Sequence, residues 1–351
     1  MKLSTINLTF STFVHLRSNL NNLENTVEDF IDVRLPDIQN FFRCVDMRKK
    51  ISTSSLRTPE RQAAGFDITG DNITFVYPDE PGEVPENDKK PRKPVLNDLS
   101  FHFEAGKLHA IVGDNGSGKT TLVHILSQLY DTYLGTIQVN SHDIKDYDLT
   151  DLRSRMSIMF QEPAKLKYFS VRENIGLGDT ATLESDPGSI DAIATEHHIT
   201  DFIDLDTIIG NLHKQHKDPD EKWQVELSGG QWQKIALARA FMKAKTADLV
   251  ILDEPTSALD VDAEVRFFKQ LRTSRNGKTT IFITHKYITT TTADCIHFMW
   301  GGKIIERGSH AELMANAGEY ARLYRMQTQG YLNPTDAAFL SSIVRKNSTR
   351  S

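Results

Sequence analysis

Three short stretches carry residue types suited to chemistry on a phosphorylated molecule. The first is GDNGSGKTT, residues 113–121. It follows the apolar run LHAIV and opens LVHILSQLY, so the pattern G-x-x-x-x-G-K-[ST] lies between an expected strand and an expected helix, the context in which it means a phosphate-binding loop. Gly113, Gly116 and Gly118 let the backbone close on phosphate oxygens, and the N–H groups of a loop running through Asp114, Asn115 and Ser117 supply a nest of donors. Lys119 then bridges the outer phosphates, the Thr120 hydroxyl is placed to hold Mg²⁺, and Thr121 continues the loop into the helix. The second stretch is LVILDEPTSALD, residues 249–260. Four apolar residues end on Asp253, a carboxylate where a Mg²⁺ ligand is needed, and Glu254 follows, placed to orient and deprotonate an attacking water. The third, VELSGGQWQK at 225–234, opens a helix with Ser228, Gly229, Gly230 and Gln231. Free N–H groups at a helix start attract anions, but no lysine stands beside this one, and the chain already has a better phosphate loop.

The elements that must position these residues alternate. From about residue 95, short apolar segments (KLHAIVG, GTIQVN, MSIMFQ, DLVILDE, TTIFITH) are separated by helical stretches. That order predicts an α/β fold with a mostly parallel sheet. Residues 188–216 lack strand signals and are expected to form a separate helical patch. Residues 1–58 have apolar positions at spacings of three and four, including Leu16, Leu20, Leu23, Val27 and Phe30, and predict helix, with Pro36 dividing it in two. The segment 79–94, DEPGEVPENDKKPRKP, is rich in proline and charge and is expected to be a mobile surface insert.

Composition sets the outer bounds. The chain has 351 residues, 39% of them hydrophobic and 25% charged, enough for a full core and typical of a globular protein. A net charge of −6 argues against nucleic acid as a partner. No run approaches the roughly 18 apolar residues of a membrane span, so any membrane role needs another anchor. Cys44 and Cys295 lie far apart and fit no metal or redox spacing along the chain, which points to a reducing, cytosolic setting. His197, His198, His213 and His216 cluster in sequence, but no cysteine or ordered carboxylate set accompanies them.

Taken together, LSGGQ (227–231) shortly before the acidic strand, the phosphate loop and the Asp-Glu pair resemble the ATP-binding cassette (ABC) family over residues 67–328. The resemblance implies a P-loop NTPase core with an antiparallel β-subdomain and an α-helical signature subdomain, preceded here by the helical N-terminal segment and followed by an extension at 329–351. It implies ATP and Mg²⁺, and two cassettes paired head to tail, homo- or heterodimeric. Ser228, Gly229, Gly230 and Gln231 would then cap the ATP held by the partner's Lys119, which accounts for the missing lysine. By the same resemblance Tyr77 stacks on adenine, Gln161 touches Mg²⁺ and water, His285 contacts the γ-phosphate, and Asp260 ends the SALD loop through which cassettes communicate.

YFSVRENIGLGD (168–179) resembles the receiver of a transmembrane permease domain or subunit, and residues 301–327 resemble the close of an exporter cassette. Residues 1–58 resemble the cytoplasmic end of an exporter's last membrane helix. The expected role is thus an ATP-hydrolysing exporter subunit on the cytoplasmic face of a membrane, held there by its permease. One departure stands out: exporters commonly carry Gly-Glu-x-Gly before the signature, whereas DTIIGNLHKQHKDPDEKWQVELSGGQ has a longer charged excursion with Glu226 as its nearest acid. The alternatives are a soluble, non-transporting ABC ATPase of the translation or DNA-repair kind, and the tail of a permease–ATPase fusion. Against the first stand a single cassette, the absence of a heptad insert and the negative charge.

Overall fold

The computed structural model describes residues 65–78, 92–210, 225–257, 259, 261–274 and 277–331, all within a unit that runs from Arg57 to Ser351. The expectations for residues 1–58, most of the 79–94 insert, His213, His216, Asp260 and most of 329–351 fall outside these residues.

Two sheets organise the unit. Strands β1 (Ile68–Phe75), β2 (Leu96–Phe103), β4 (Leu134–Val139) and β5 (His142–Asp143) form an antiparallel sheet in the order β2-β1-β4-β5. β3 (Leu108–Gly113), β6 (Met156–Met159), β7 (Leu249–Asp253), β8 (Thr279–Thr284), β9 (Cys295–Trp300) and β10 (Lys303–Gly308) form the second, in the order β10-β9-β3-β8-β7-β6. β3 pairs in parallel with β8 and β9, β7 pairs in parallel with β6 and β8, and β10 runs antiparallel on β9 at the edge. The interior strands β3, β7 and β8 are buried at every position, which is why they carry consecutive apolar residues (AIV, LVIL and IFI) rather than alternating ones. The α/β core with its antiparallel subdomain is the one expected.

Helices α1 (Lys119–Leu126), α2 (Leu149–Ser154), α3 (Val171–Gly176), α4 (Thr180–Ser185), α5 (Pro187–Glu196), α6 (Gly229–Ala244), α7 (Val261–Ser274), α8 (His310–Asn316) and α9 (Glu319–Tyr331) complete the unit. Three apolar cores result. One lies between the sheets around Phe75, Phe103, Ile111 and Met299. One lies on the other face of the parallel sheet, around Leu252, Phe268, Phe282 and Tyr320. The third is the helical subdomain, where Val171, Ile175, Ile190 and Ile193 meet Trp232, Ile235 and Met242 of α6. Among the described residues, the expected helical patch is helical only to Glu196. Beyond it Ile199–Gly210 turns, and isolated bridges tie Ser170 to Ile208 and Ile209 to Val225. Buried Ile199, Leu205 and Ile209 have to reach the same core from both flanks, and a run rich in β-branched residues and Asp does this better as turns than as a continued helix.

Candidate functional site

β3 ends on Gly113, and the chain turns through Asp114–Gly118 into α1. Gly118 caps that helix in the left-handed region, at φ 99°. A Cβ there would come within 2.6 Å of the Leu96 side chain, so both conformation and space demand glycine. Lys119 is buried and folds back over its own loop, where Nζ donates to the carbonyls of Gly113 and Asp114 at 2.8 Å each. Burial lowers its pKa, while the nearby carboxylates of Glu254, Asp253 and Asp114 pull it back up. The loop thus holds an ammonium ready to exchange two carbonyls for phosphate oxygens.

β7 delivers the second half of the site. Parallel pairing with β8 sets Asp253 opposite Ile283, and the Thr120 hydroxyl donates to Asp253 Oδ2 at 2.9 Å. Burial lifts the Asp253 carboxyl to about 6, with the Thr120 hydrogen bond opposing that rise. Its other oxygen, Oδ1, is buried without a hydrogen-bond partner. A buried carboxylate oxygen costs free energy unless something satisfies it, and a hydroxyl beside a carboxylate is the oxygen donor set that suits Mg²⁺. The residues therefore fit the ion, and Thr120 and Asp253, with Gln161 of the adjoining cavity, are the ones that could hold it.

Glu254 stands where the strand ends, at φ 51°, a left-handed conformation that few non-glycine residues adopt without support. The support is visible. Its N–H donates to Ile283 O at 3.0 Å, and its carbonyl accepts from Gln233 Nε2 of α6 at 2.9 Å. Gln233 also donates to Ser257 Oγ at 2.8 Å, so the signature helix fixes the acidic turn. The Glu254 carboxylate pairs with His285 Nε2. His285 is itself anchored from behind, where Gln327 of α9 donates to its carbonyl and accepts from Tyr287 N.

One cavity of about 160 Å³ joins these groups: Asn115, Gly116, Gly118, Lys119, Thr120, Thr121, Gln161, Glu254 and His285 line it, together with Val95. Tyr77 lies beside it, its hydroxyl 2.9 Å from Thr121 Oγ1 and its ring edge-on to Phe75 and Tyr130. Ser117 is buried in the loop, with Lys119 Nζ 3.4 Å from its hydroxyl.

Ser228, Gly229, Gly230 and Gln231 do not line this cavity. They form a capping box at the start of α6, with Gln231 N donating to Ser228 Oγ and Ser228 N to Gln231 Oε1. A Cβ on Gly229 would meet nothing within 4 Å. Nothing in the described residues of this chain requires glycine there.

Sequence reasoning missed Val95, Gln233 and Gln327. Gln233 could have been found, since it follows Gln231 by two on the same helix. Val95 follows the insert, and Gln327 lies far along the chain, so neither had a local signal. The histidine pair adjacent in sequence separates in space: His197 packs on Phe241, whereas His198 is exposed and bonds to Asp201.

Residues 96–257 match the family model described as ABC transporter. The chain is 34% identical over 328 residues to an ATP-dependent lipid A-core flippase of Yersinia pestis, covering 92% of this chain and 51% of that protein. It is 37% identical over 273 residues to a flippase of the same name from Aromatoleum aromaticum, covering 76% and 41%. A solved bacterial Atm1-family ABC exporter with ATP bound superposes with a TM-score of 0.65 at 30% identity, over 84% of this chain and 47% of the other. The chain thus spans about half the length of the curated relatives it matches. A phosphate loop, an acidic strand end and a signature helix tied to it lie in one matched segment, and the chain belongs to the ABC transporter family.

Proposed function

We propose that this chain is the ATP-hydrolysing cassette of an exporter-type ABC transporter, and that ATP pairs it head to tail with a second cassette. The observation that carries the reading is the division of labour between two halves of a site. Lys119, Thr120, Asp253, Glu254 and His285 converge, while an equally anion-suited helix start at Ser228–Gln231 stands apart with open space in front of Gly229. The second half makes sense as the lid on another chain's nucleotide.

On this reading the γ-phosphate replaces the Gly113 and Asp114 carbonyls around Lys119 Nζ, and the adenine lies toward Tyr77. Mg²⁺ would be held by Thr120, Asp253 and Gln161, and would supply charge neutralisation on the phosphate oxygens. Glu254 orients the attacking water and accepts its proton, and His285 holds the Glu254 carboxylate in place and meets the γ-phosphate. Departure of phosphate loosens the pair, and that opening moves a permease.

Exposed Tyr168 and Phe169 lie before α3, beside the capping box of Ser170 and Glu173. They suit a surface covered by a permease at the cytoplasmic face of a membrane. Arg239 bonds Ala164 O, Asn174 O and Asn174 Oδ1, linking this surface to α6 and hence to Glu254. Among the described residues no helix is long and apolar enough to cross a membrane, and the relatives are about twice this length, which suits a permease in the remainder of such a protein or in a separate subunit.

The test is to purify the Glu254→Gln chain and measure its mass in solution with and without ATP and Mg²⁺. The reading expects an ATP-dependent doubling of mass that wild type shows only transiently. A Glu254→Gln chain that binds ATP and stays monomeric contradicts it.

A further inference from the structure

The face of the parallel sheet opposite α7 carries three residues that the nucleotide site does not use. β3 and β9 are paired in parallel, with His109 opposite Cys295 and Ile111 opposite His297. Alternation along a strand puts Cys295 and His297 on one face, and the register brings His109 to the same place. One donor atom from each of the three lies within 4.8 Å of the others, and all three residues are buried. His109 Nδ1 and His297 Nε2 are 3.2 Å apart. Phe103 closes over both rings, its centroid 5.3 Å from His109 and 4.8 Å from His297.

We propose that His109, Cys295 and His297 form a binding site for a thiophilic divalent cation of the Zn²⁺ class. Two imidazole nitrogens on a tetrahedral Zn²⁺, each at about 2.0–2.1 Å, are separated by about 3.3 Å, which is the separation the two rings already have. Sulfur with two nitrogens selects Zn²⁺ over Mg²⁺ or Ca²⁺, which prefer oxygen. His109 Nε2 bonds the Glu104 carbonyl, the outer partner that a ligating histidine needs to orient its other nitrogen.

With that hydrogen bond fixing the proton of His109 on Nε2, Nδ1 keeps its lone pair. In the metal-free protein His297 Nε2–H donates to it, and His297 Nδ1 is left buried without a partner. Metal binding moves the His297 proton to Nδ1 and frees Nε2 as a ligand. Burial holds both rings neutral, His109 at about 4 and His297 well below its usual range, so neither has to lose a proton first. The Cys295 thiol gives its proton to solvent on binding. The thiolate balances one of the two charges; the carboxylates of Glu104 and Asp294 act on His109 in the same sense, against the opposing charge of Arg307. A cavity of about 400 Å³, lined by His297 together with His102, Phe101 and Arg307, opens on the His297 side of the cluster.

The site would clip β3 to β9 directly behind the phosphate loop, since β3 runs into Gly113 and Gly113 abuts the Met299 carbonyl of β9. Its function is therefore structural, independent of whether the chain pairs or hydrolyses ATP.

The test is Co²⁺ titration of the nucleotide-free, chelator-treated chain, carrying Cys44→Ser so that Cys295 is its one thiol, followed by absorbance and by the melting temperature. The site predicts one Co²⁺ per chain, a thiolate-to-cobalt charge-transfer band with the d–d intensity of a tetrahedral ion, displacement by Zn²⁺ and a raised melting temperature. Adding Cys295→Ser abolishes the charge-transfer band, and His109→Gln or His297→Gln weakens binding at least about tenfold, as loss of one ligand should. Absence of the band from the folded Cys44→Ser chain overturns the proposal, whatever happens to the other variants. So does a band that survives Cys295→Ser.

Discussion

At the residue scale the site depends on side chains held in place by their neighbours' backbones. Lys119 rests on two carbonyls of its own loop, so Lys119→Ala removes both the charge proposed to meet the phosphates and the brace of the loop. ATP affinity, measured by fluorescent-nucleotide displacement, should fall by about tenfold or more, consistent with the loss of a charge-assisted contact. Glu254→Gln keeps the shape and loses the base. Phosphate release should slow by about 100-fold or more with nucleotide binding intact, and normal turnover would remove Glu254 from its assigned role. Gln233 acts through Glu254 and not on the nucleotide. Gln233→Leu removes the donor that holds the Glu254 carbonyl, and with it the left-handed turn, so kcat should drop while KM for ATP changes little. A matching loss of ATP affinity would show that Gln233 only stabilises the fold.

At the element scale, the helical subdomain depends on a histidine that burial keeps neutral. His197 is pushed down to about 4, chiefly by burial and further by His198. Its folded pKa lies below the unfolded one, so the unfolded chain takes up the proton first as pH falls. His197's contribution is thus complete above about 6.5 and is lost between there and about 4, amounting to about 3 kcal/mol. Denaturant midpoints followed through this window should fall for wild type, and the fall should be shallower in His197→Phe, which keeps the contact with Phe241. Equal slopes would sink the assignment. The elements themselves were largely legible in the sequence. β3, β7 and β8 are buried at every position and carry consecutive apolar residues because both faces are covered, and Gly118, Lys119 and Asp253 each sit at a strand end or helix start that their neighbours announce. What was illegible depends on register and on long-range contact. Nothing near His109 points to Cys295, 186 positions away, because only the parallel pairing of β3 with β9 joins them. Gln327 supports His285 across 42 residues. Tyr77 could be placed beside the loop, yet its hydroxyl bond to Thr121 follows from how β1 leaves its sheet. The helix expected beyond Glu196 gave way to turns, where tertiary burial of Ile199, Leu205 and Ile209 overrode local pattern.

At the scale of the whole molecule, the proposed site is divided between two chains, with the phosphate loop and acidic strand of one facing the Ser228 helix start of the other. Ser228→Arg should leave ATP binding by a single chain unchanged, because the signature does not line the Lys119 cavity, while blocking closure by placing a bulky cation at the lid. Mixing two inactive chains tests the division most directly. Lys119→Ala has an intact signature and Ser228→Arg an intact phosphate loop. A mixed head-to-tail pair therefore holds one complete site and one that is doubly broken. The measurement is the ATPase rate of each variant alone and of an equal mixture. The account predicts near-zero rates apart and recovery on mixing to at most about a quarter of wild type, since half of random pairs are mixed and each has one working site. A mixture no faster than its components, or a Ser228→Arg chain that hydrolyses ATP normally alone, would contradict it.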